Sequence, residues 1–354
     1  MLHRSSRRTT IENVRHYFTK IGPGNTLAPP LLGEQRLGEP VLAGFFRAVR
    51  LPEIRDHNRE QRPRFSYQAI DLYRWAQGEL EGFAINLAQG VLRILEPTGA
   101  MYEMERDLFE KTVGPTPNKD DVPKLVPVRI VQEERITHIP TILTQINANR
   151  RLSSSTFKEI TGDFGLGLAI DYVLFKGGLL EQYPRSTPET RTVDHLLQCL
   201  GTNELITLVA RLLQEHGLYV PAPNGGFVKN IDLFACNDRP REIELEGLRV
   251  PGRSAFRSGA ITLQVRDSAQ ETRPEVSPEV DYLIQLNAET DTSESARVLN
   301  RDWIEKMLRR SPRTRGYLDR LLRWVPFAGS IIRGLEAPGP SDRSAAVPGP
   351  PQER

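Results

Sequence analysis

The sequence predicts a mixed α/β protein, α+β in its overall arrangement, in which helical segments precede a C-terminal sheet flanked by helices. Apolar residues at three- and four-residue spacing over residues 67–95 predict helix. Three short helical segments followed by strand, turn and strand occupy residues 125–195. Four short apolar strands follow Gly217, between helices predicted over 202–216 and 301–310. The 354 residues are enough for two or three compact domains.

Composition divides the chain into four predicted parts: 1–124 as a helical region of unknown role, 125–195 as a second domain, 196–335 as a third, and 336–354 as a disordered tail. The tail is dense in Pro, Gly and Ser, which cannot bury enough apolar area to order it. The basic N-terminus is interpreted as a frayed arm, with a mitochondrial presequence as the alternative. No 20-residue apolar run is present, which predicts no transmembrane segment. The two cysteines form neither a disulfide framework nor a zinc motif, so we expect a cytoplasmic protein.

Residues 125–195 have the pattern of a small domain of helices followed by strands. Helices are predicted over 138–151, 153–165 and 167–176, followed by a short strand at 179–183 and a polar turn. This order resembles a winged helix-turn-helix, whose recognition helix lies in the major groove and whose wing contacts phosphates. A winged helix that contacts protein is the alternative. The predicted nucleic-acid contacts here are Arg150, Arg151, Lys158, Lys176, Arg185 and Arg191.

The third region contains the candidate catalytic and metal-binding residues. A helix from Thr202 is followed by a strand at 218–220, a second strand at 231–235 and a third at 260–266. Asp232 is an acid in an otherwise apolar strand, where it is costly to bury without a partner. Because side chains two apart on a strand share a face, Gln264 and Arg266 project together.

This order of helix and strands resembles the Mrr-type branch of the restriction-endonuclease (PD-(D/E)XK) superfamily, over about Thr202–Arg266. The resemblance implies a restriction-endonuclease-like sheet and Mg²⁺- or Mn²⁺-dependent cleavage of phosphodiester bonds. It implies roles for Glu204 on the helix, Asp232 as the central acid and Gln264 on the metal side, with all three as metal ligands. Some members of that family also carry an N-terminal winged helix.

One residue departs from the family pattern. Arg266 stands where the family has lysine, and arginine stays protonated, so it can act as a fixed cation but not as a general base. Lys229 is the nearby lysine, three residues before Asp232, and therefore on the opposite strand face unless the strand bulges. The predicted catalytic set is Glu204, Asp232, Gln264, Arg266 and Lys229.

The C-terminal stretch 297–334 holds ten basic residues against three acidic ones, interleaved with apolar side chains. A basic amphipathic surface suits a phosphate backbone, and Arg309, Arg310 and Arg313 are its predicted nucleic-acid contacts. A membrane-surface helix and a helix that docks on the sheet are the alternatives.

The sequence therefore predicts a DNA-acting, endonuclease-like protein that binds double-stranded DNA, in bacterial restriction or antiviral defence. The first alternative is a catalytically degenerate nucleic-acid-binding or scaffold protein of a defence complex. The second is a membrane-associated effector. Whether the chain forms a homodimer or binds a defence partner stays open at this point.

Overall fold

The computed structural model describes residues 15–47, 49–56, 67–148, 156–161, 164–181, 183, 191–221, 231–254, 259–266, 279–286 and 298–336. It divides into two compact units, Met1–Arg185 and Ser186–Arg354. Each unit has its own sheet and its own buried core, and each is described by itself.

The first unit is built on a seven-stranded mixed sheet. Its strands run in the order β2-β6-β4-β3-β1-β7, and β5 pairs with β6. The strands are β1 (His16–Thr19), β2 (Val41–Arg47), β3 (Phe83–Ala88), β4 (Val91–Pro97), β5 (Tyr102–Glu103), β6 (Asp121–Arg135) and β7 (Phe157–Glu159). The helices are α1 (Leu51–Arg55), α2 (Tyr67–Ala76), α3 (Arg106–Thr112), α4 (Thr141–Thr144) and α5 (Phe164–Lys176).

Helices provide the apolar cover of this sheet. The main core cluster includes Trp75 of α2 and Phe109 of α3, with Phe157 of β7 packed against Trp75 at a ring distance of 5.4 Å. Helix α5 is tied to β1 by a 2.8 Å contact between His16 Nε2 and Asp171 Oδ1. The long strand β6 pairs with β2 through its first half and with β4 through its second half, which joins the sheet into one body.

The region 1–124, predicted to be helical, is mixed in the structure: it contains α1, α2 and α3, but it also contributes β1 to β5 and the start of β6 to the sheet. The predicted helix 67–95 ends at Ala76, and the chain then forms the β3-β4 hairpin. Gln89 and Gly90 turn this hairpin with positive φ angles of 52° and 72°. Apolar residues of two paired strands reproduced a helical spacing by chance, and cross-strand pairing decided the structure.

The first two helices of the predicted winged helix are also not formed as predicted. Residues 121–135 belong to β6, and Phe157–Glu159 of the predicted second helix pairs antiparallel with β1. The predicted first helix is reduced to the four residues of α4 and short 3-10 turns. The third predicted helix is confirmed as α5, Phe164–Lys176. Much of the predicted wing lies outside the described residues.

The second unit contains a four-stranded sheet of order β13-β12-β11-β8. Strand β8 pairs antiparallel with β11. Strand β12 pairs parallel with β11, and β13 pairs parallel with β12. Its strands are β8 (Leu233–Asn237), β9 (Ile243–Leu245), β10 (Leu248–Val250), β11 (Gly259–Arg266), β12 (Tyr282–Gln285) and β13 (Val298–Leu299). Its helices are α6 (Val193–Gln198), α7 (Thr202–Glu215), α8 (Arg301–Arg309), α9 (Pro312–Leu321) and α10 (Ala328–Gly334).

The predictions for this unit are confirmed at the level of its elements. Helix α7 starts at Thr202, Tyr219 bridges to Cys236 at the edge of β8, and α8 covers the predicted 301–310. The insertion between the two site strands forms the β9-β10 hairpin, which docks on α8. Trp303 Nε1 donates to Leu245 O at 2.9 Å, and Arg310 Nη1 lies 2.6 Å from Glu246 Oε1.

Among the described residues, no helix is both long enough and apolar enough to cross a membrane. The apolar side chains of the C-terminal stretch are packed inside the second unit. Leu322, Val325, Phe327 and Ile332 are all at least 95% buried.

Candidate functional site

Asp232 lies immediately before β8, and both its backbone and its side chain are hydrogen-bonded to β11. The backbone N–H of Asp232 donates to Leu263 O at 2.9 Å. Its side-chain Oδ2 accepts from the backbone N–H of Val265 at 2.7 Å. The carboxylate therefore takes the place of a backbone acceptor at the end of the β8-β11 ladder, and no described residue donates a hydrogen bond to its second oxygen.

Two residues of β11, Gln264 and Arg266, lie next to Asp232. Residues along this strand alternate between buried and half-buried, and both site residues belong to the half-buried set. Arg266 Nη2 donates to Gln264 Oε1 at 3.1 Å. The structure thus brings together three of the predicted residues, Asp232, Gln264 and Arg266.

A fourth polar side chain at this place was missed by the sequence reasoning. Gln285 is the last residue of β12 and is the direct neighbour of Arg266 in the parallel register. It is only 4% exposed, and its Oε1 has no hydrogen-bond partner among the described residues. A polar residue closing the apolar strand YLIQ was the available signal, but only the pairing of β11 with β12 places it beside Arg266.

Burial governs the electrostatics of Asp232. It raises the pKa of the carboxyl above its ordinary value, against the opposing effects of the Val265 amide and the Arg266 guanidinium. The ionised form is therefore less favoured in the folded protein than in the unfolded chain. The stability associated with this group is present at low pH and is reduced as the pH rises through its folded pKa.

Replacing Asp232 with Ala should lower the free energy of unfolding by about 1–2 kcal/mol, because the N–H of Val265 loses its acceptor. Asp232→Asn keeps an acceptor oxygen and removes the buried charge, so its effect should stay below about 1 kcal/mol. Urea unfolding of both variants at neutral pH measures the difference. Equal losses in the two variants would contradict the structural role of Oδ2.

Glu204 has a different position from the other predicted ligands. It is buried in the first turn of α7, where its Oε2 accepts from the N–H of Gly201 at 2.9 Å, as a helix-capping carboxylate does. Its charge also acts on Tyr317 of α9. Lys229 lies outside the described residues. Among the residues that the structure describes, no three His, Cys, Asp or Glu side chains are grouped closely enough to hold a metal ion.

The basic residues predicted in 125–195 are only partly described. Arg150, Arg151 and Arg185 lie outside the described residues. Lys158 is exposed on β7 and Lys176 is exposed at the end of α5, both in the first unit. Arg191 belongs to the second unit, where its guanidinium carbon lies 5.7 Å from the ring centroid of Phe327.

The basic C-terminal stretch separates into three groups in the structure. Four of its residues form ion pairs: Arg301 with Asp194, Lys306 and Arg310 with Glu246, and Arg309 with Glu305. Arg315 is buried and donates to the carbonyls of Leu308 and Arg309 at the end of α8. Four are exposed and form no ion pair within the described ranges: Arg313, Arg320, Arg323 and Arg333.

Three of these exposed arginines line one side of α9 and its end. Arg313, Tyr317 and Arg320 are spaced by four and three residues, which places them on one helical face, and Arg323 follows. Arg211 of α7 adds a fourth cation, with its guanidinium carbon 4.1 Å from the ring centroid of Tyr317. We call these five residues the α9 strip. Sequence reasoning missed Arg211, which is 106 positions from Tyr317 along the chain.

Glu215 fixes the start of the helix that carries this strip. Its Oε1 accepts from the N–H of Arg313 at 2.9 Å, and its Oε2 accepts from the N–H and hydroxyl of Thr314 at 2.8 and 2.7 Å. Burial acts to raise the pKa of Glu215, but the hydrogen bonds from Thr314 and Arg313 outweigh it and lower the pKa. The end of α7 therefore positions the N-terminus of α9 through an ionised carboxylate.

These features rest on the chain's own residues. No known family model, curated protein or solved structure matches this sequence. The resemblance to the restriction-endonuclease superfamily therefore stays a prediction.

Proposed function

We propose that this protein binds double-stranded DNA through the phosphate backbone, using the α9 strip of its second unit. The observation that carries the proposal is a set of exposed arginines, Arg313, Arg320 and Arg323, that form no ion pair with any residue the structure describes, beside the stacked pair Arg211 and Tyr317. Arginines with unsatisfied N–H groups suit phosphate oxygens, which they bind in bidentate geometry. The contact would be insensitive to base sequence.

The burial of the apolar side chains favours DNA over a membrane surface as the partner of this stretch. A helix that lies in a bilayer interface must expose an apolar face to the lipid. In α10 and the turn before it, Phe327, Ala328 and Ile332 are at least 95% buried within the unit. What remains on the surface is the charged side of the stretch.

A second candidate function is metal-dependent phosphodiester hydrolysis at the end of β8 and β11. The observation that favours it is that Asp232, Gln264 and Arg266 lie together, as the resemblance implies. Mg²⁺ would be needed to polarise the phosphoryl oxygen and to lower the pKa of a water molecule. Asp232 would supply the carboxylate, and Arg266 would stabilise negative charge on the phosphate. The resemblance to the restriction-endonuclease superfamily would add a cytoplasmic role in defence against foreign DNA.

Fluorescence anisotropy with a labelled duplex tests the first proposal. We expect the protein to bind duplexes of unrelated sequence with similar affinity. The logarithm of the association constant should fall linearly with the logarithm of the salt concentration. A slope near −3 or steeper corresponds to at least about three to four phosphate contacts. Lack of binding at low salt, or binding that salt leaves unchanged, would contradict the proposal.

Plasmid nicking in the same preparation, with Mg²⁺ or Mn²⁺, tests the second candidate. Cleavage by the wild type that Asp232→Asn abolishes, while DNA binding is retained, would support hydrolysis at this site. Binding without cleavage in either metal supports the degenerate, DNA-binding protein. Liposome flotation with anionic vesicles measures the membrane alternative, which predicts co-flotation.

A further inference from the structure

Three exposed arginines lie around the β9-β10 hairpin of the second unit. Arg239 and Arg241 follow β8, and Arg253 follows β10. We call these three residues the loop arginines. None of them forms an ion pair with a residue that the structure describes, whereas Arg249 of β10 pairs with Glu244 at 3.5 Å. Their guanidiniums are therefore available to an external acceptor.

The backbone that carries the loop arginines is held in place by a buried amide. Asn237 is only 1% exposed, and its Nδ2 donates to the carbonyl oxygen of Arg241 at 2.8 Å. Its Oδ1 accepts from the N–H of Arg239 at 3.0 Å. The N–H of Arg253 in turn donates to Arg239 O at 2.8 Å. Because this backbone is already ordered, a ligand that binds the three side chains loses little affinity to loop ordering.

Arg239 connects these residues to the α9 strip through the C-terminal end of α7. Its Nη2 lies 2.8 Å from the position that a Cβ atom on Gly217 would occupy. The negative end of the helix dipole favours a cation there. Two residues earlier, Glu215 accepts a hydrogen bond from the N–H of Arg313, the first arginine of the strip. The short stretch 215–217 therefore contacts both groups of exposed arginines.

Two acidic residues of the same loop, Asp238 and Glu242, are exposed. Within the described ranges, neither forms an ion pair with a loop arginine. Burial, and then the charge of Asp238, raise the pKa of the Cys236 thiol, so this carboxylate lies on the side of β8. The acids lower the net charge of the loop, but they leave the N–H groups of its arginines unpaired.

We propose that the α9 strip and the loop arginines form one continuous surface, joined at the C-terminal end of α7, that binds a single DNA duplex. Arg239 and Arg253 contact phosphates of the same duplex that Arg313 contacts. A phosphodiester backbone fits this arrangement because it presents single negative charges at regular spacing along an extended line. The proposal rests on the proposed function, since it extends DNA binding by the α9 strip to a second part of the unit.

Fluorescence anisotropy with a short labelled duplex and the full chain tests the extension. The double variant Arg239→Gln/Arg253→Gln should lose about 10- to 100-fold in affinity at about 0.1 M salt, and its salt slope should be smaller by about 1.8. Arg239→Lys/Arg253→Lys keeps both charges and should keep most of the wild-type slope. At saturation, the wild type should bind one duplex per chain.

The matched control is Arg249→Gln/Arg301→Gln. Both arginines are exposed in the same unit, but each is already paired with a carboxylate, so the affinity should fall by less than about threefold. An equal loss in this control would favour a diffuse positive surface and overturn the proposal.

Two further outcomes would overturn the continuous surface and leave DNA binding by the α9 strip intact. The first is an unchanged salt slope in Arg239→Gln/Arg253→Gln with wild-type circular dichroism. The second is two duplexes bound per wild-type chain, which would mean separate sites and is measured without any variant. A wild type that binds no duplex at low salt would overturn the proposed function and the extension together.

Discussion

Replacing Arg313, Arg320 and Arg323 together with glutamine should lower the affinity for duplex DNA by about 100- to 1000-fold at about 0.1 M salt. Each of these side chains is exposed and makes no ion pair within the described part of the chain, so each can neutralise one phosphate. Each lost contact removes about 0.9 from the salt slope, and the triple variant should therefore show a slope smaller by about 2.7. Anisotropy titrations at four salt concentrations measure both quantities.

A matched triple variant separates a defined strip from a diffuse positive surface. Arg301, Arg309 and Arg310 lie in the same stretch, but each is already paired with a carboxylate. Because those charges are partly neutralised, replacing all three with glutamine should weaken binding by less than about tenfold. Equal losses in the two triple variants would favour the diffuse surface, and unchanged binding in both would contradict a DNA contact on this face.

Individual helices and strands of the C-terminal unit could be predicted from the sequence because their signals are local. The strand Gly259–Arg266 alternates buried and half-buried residues, and the helix from Thr202 has a continuous apolar stripe that ends at Gly217. In the N-terminal unit, the apolar residues of 67–95 have the spacing of one helix, but the chain forms a helix, a turn and the β3-β4 hairpin there. The pairing of β1 with β3, about 67 residues apart, leaves no local signature.

The residues of the candidate site also divide into those with a local sequence signal and those that only strand pairing brings together. Asp232, Gln264 and Arg266 could be selected because an acid in an apolar strand and a polar pair two residues apart are visible in one dimension. Gln285 could not, since its position depends on the register of β12 against β11. The basic residues of 297–334 are equivalent in the sequence, and carboxylates from distant positions, Asp194 and Glu246, distinguish paired charges from available ones.

Glu215→Ala should lower the free energy of unfolding of the second unit by about 2–3 kcal/mol at neutral pH. The substitution removes three hydrogen bonds to an ionised carboxylate and leaves the first N–H groups of α9 without their acceptor. Because the start of α9 carries Arg313, the affinity for DNA should fall as well, by several-fold. Hydrogen exchange in the peptide 312–321 reports the loss at the helix itself.

The pH dependence follows from the lowered pKa of Glu215. A carboxyl whose pKa is lower in the folded protein contributes its full stability above the unfolded value near 4.5, and loses it as the pH falls through the folded value. The wild type should therefore lose protection in 312–321 as the pH drops below about 4.5, more steeply than Glu215→Gln, which has no charge to lose. Glu242→Ala is the control, since Glu242 is exposed, and should change stability by less than about 0.5 kcal/mol. If Glu215→Gln keeps the wild-type pH dependence, another group is responsible for anchoring α9, and the carboxylate at the end of α7 does not position the strip.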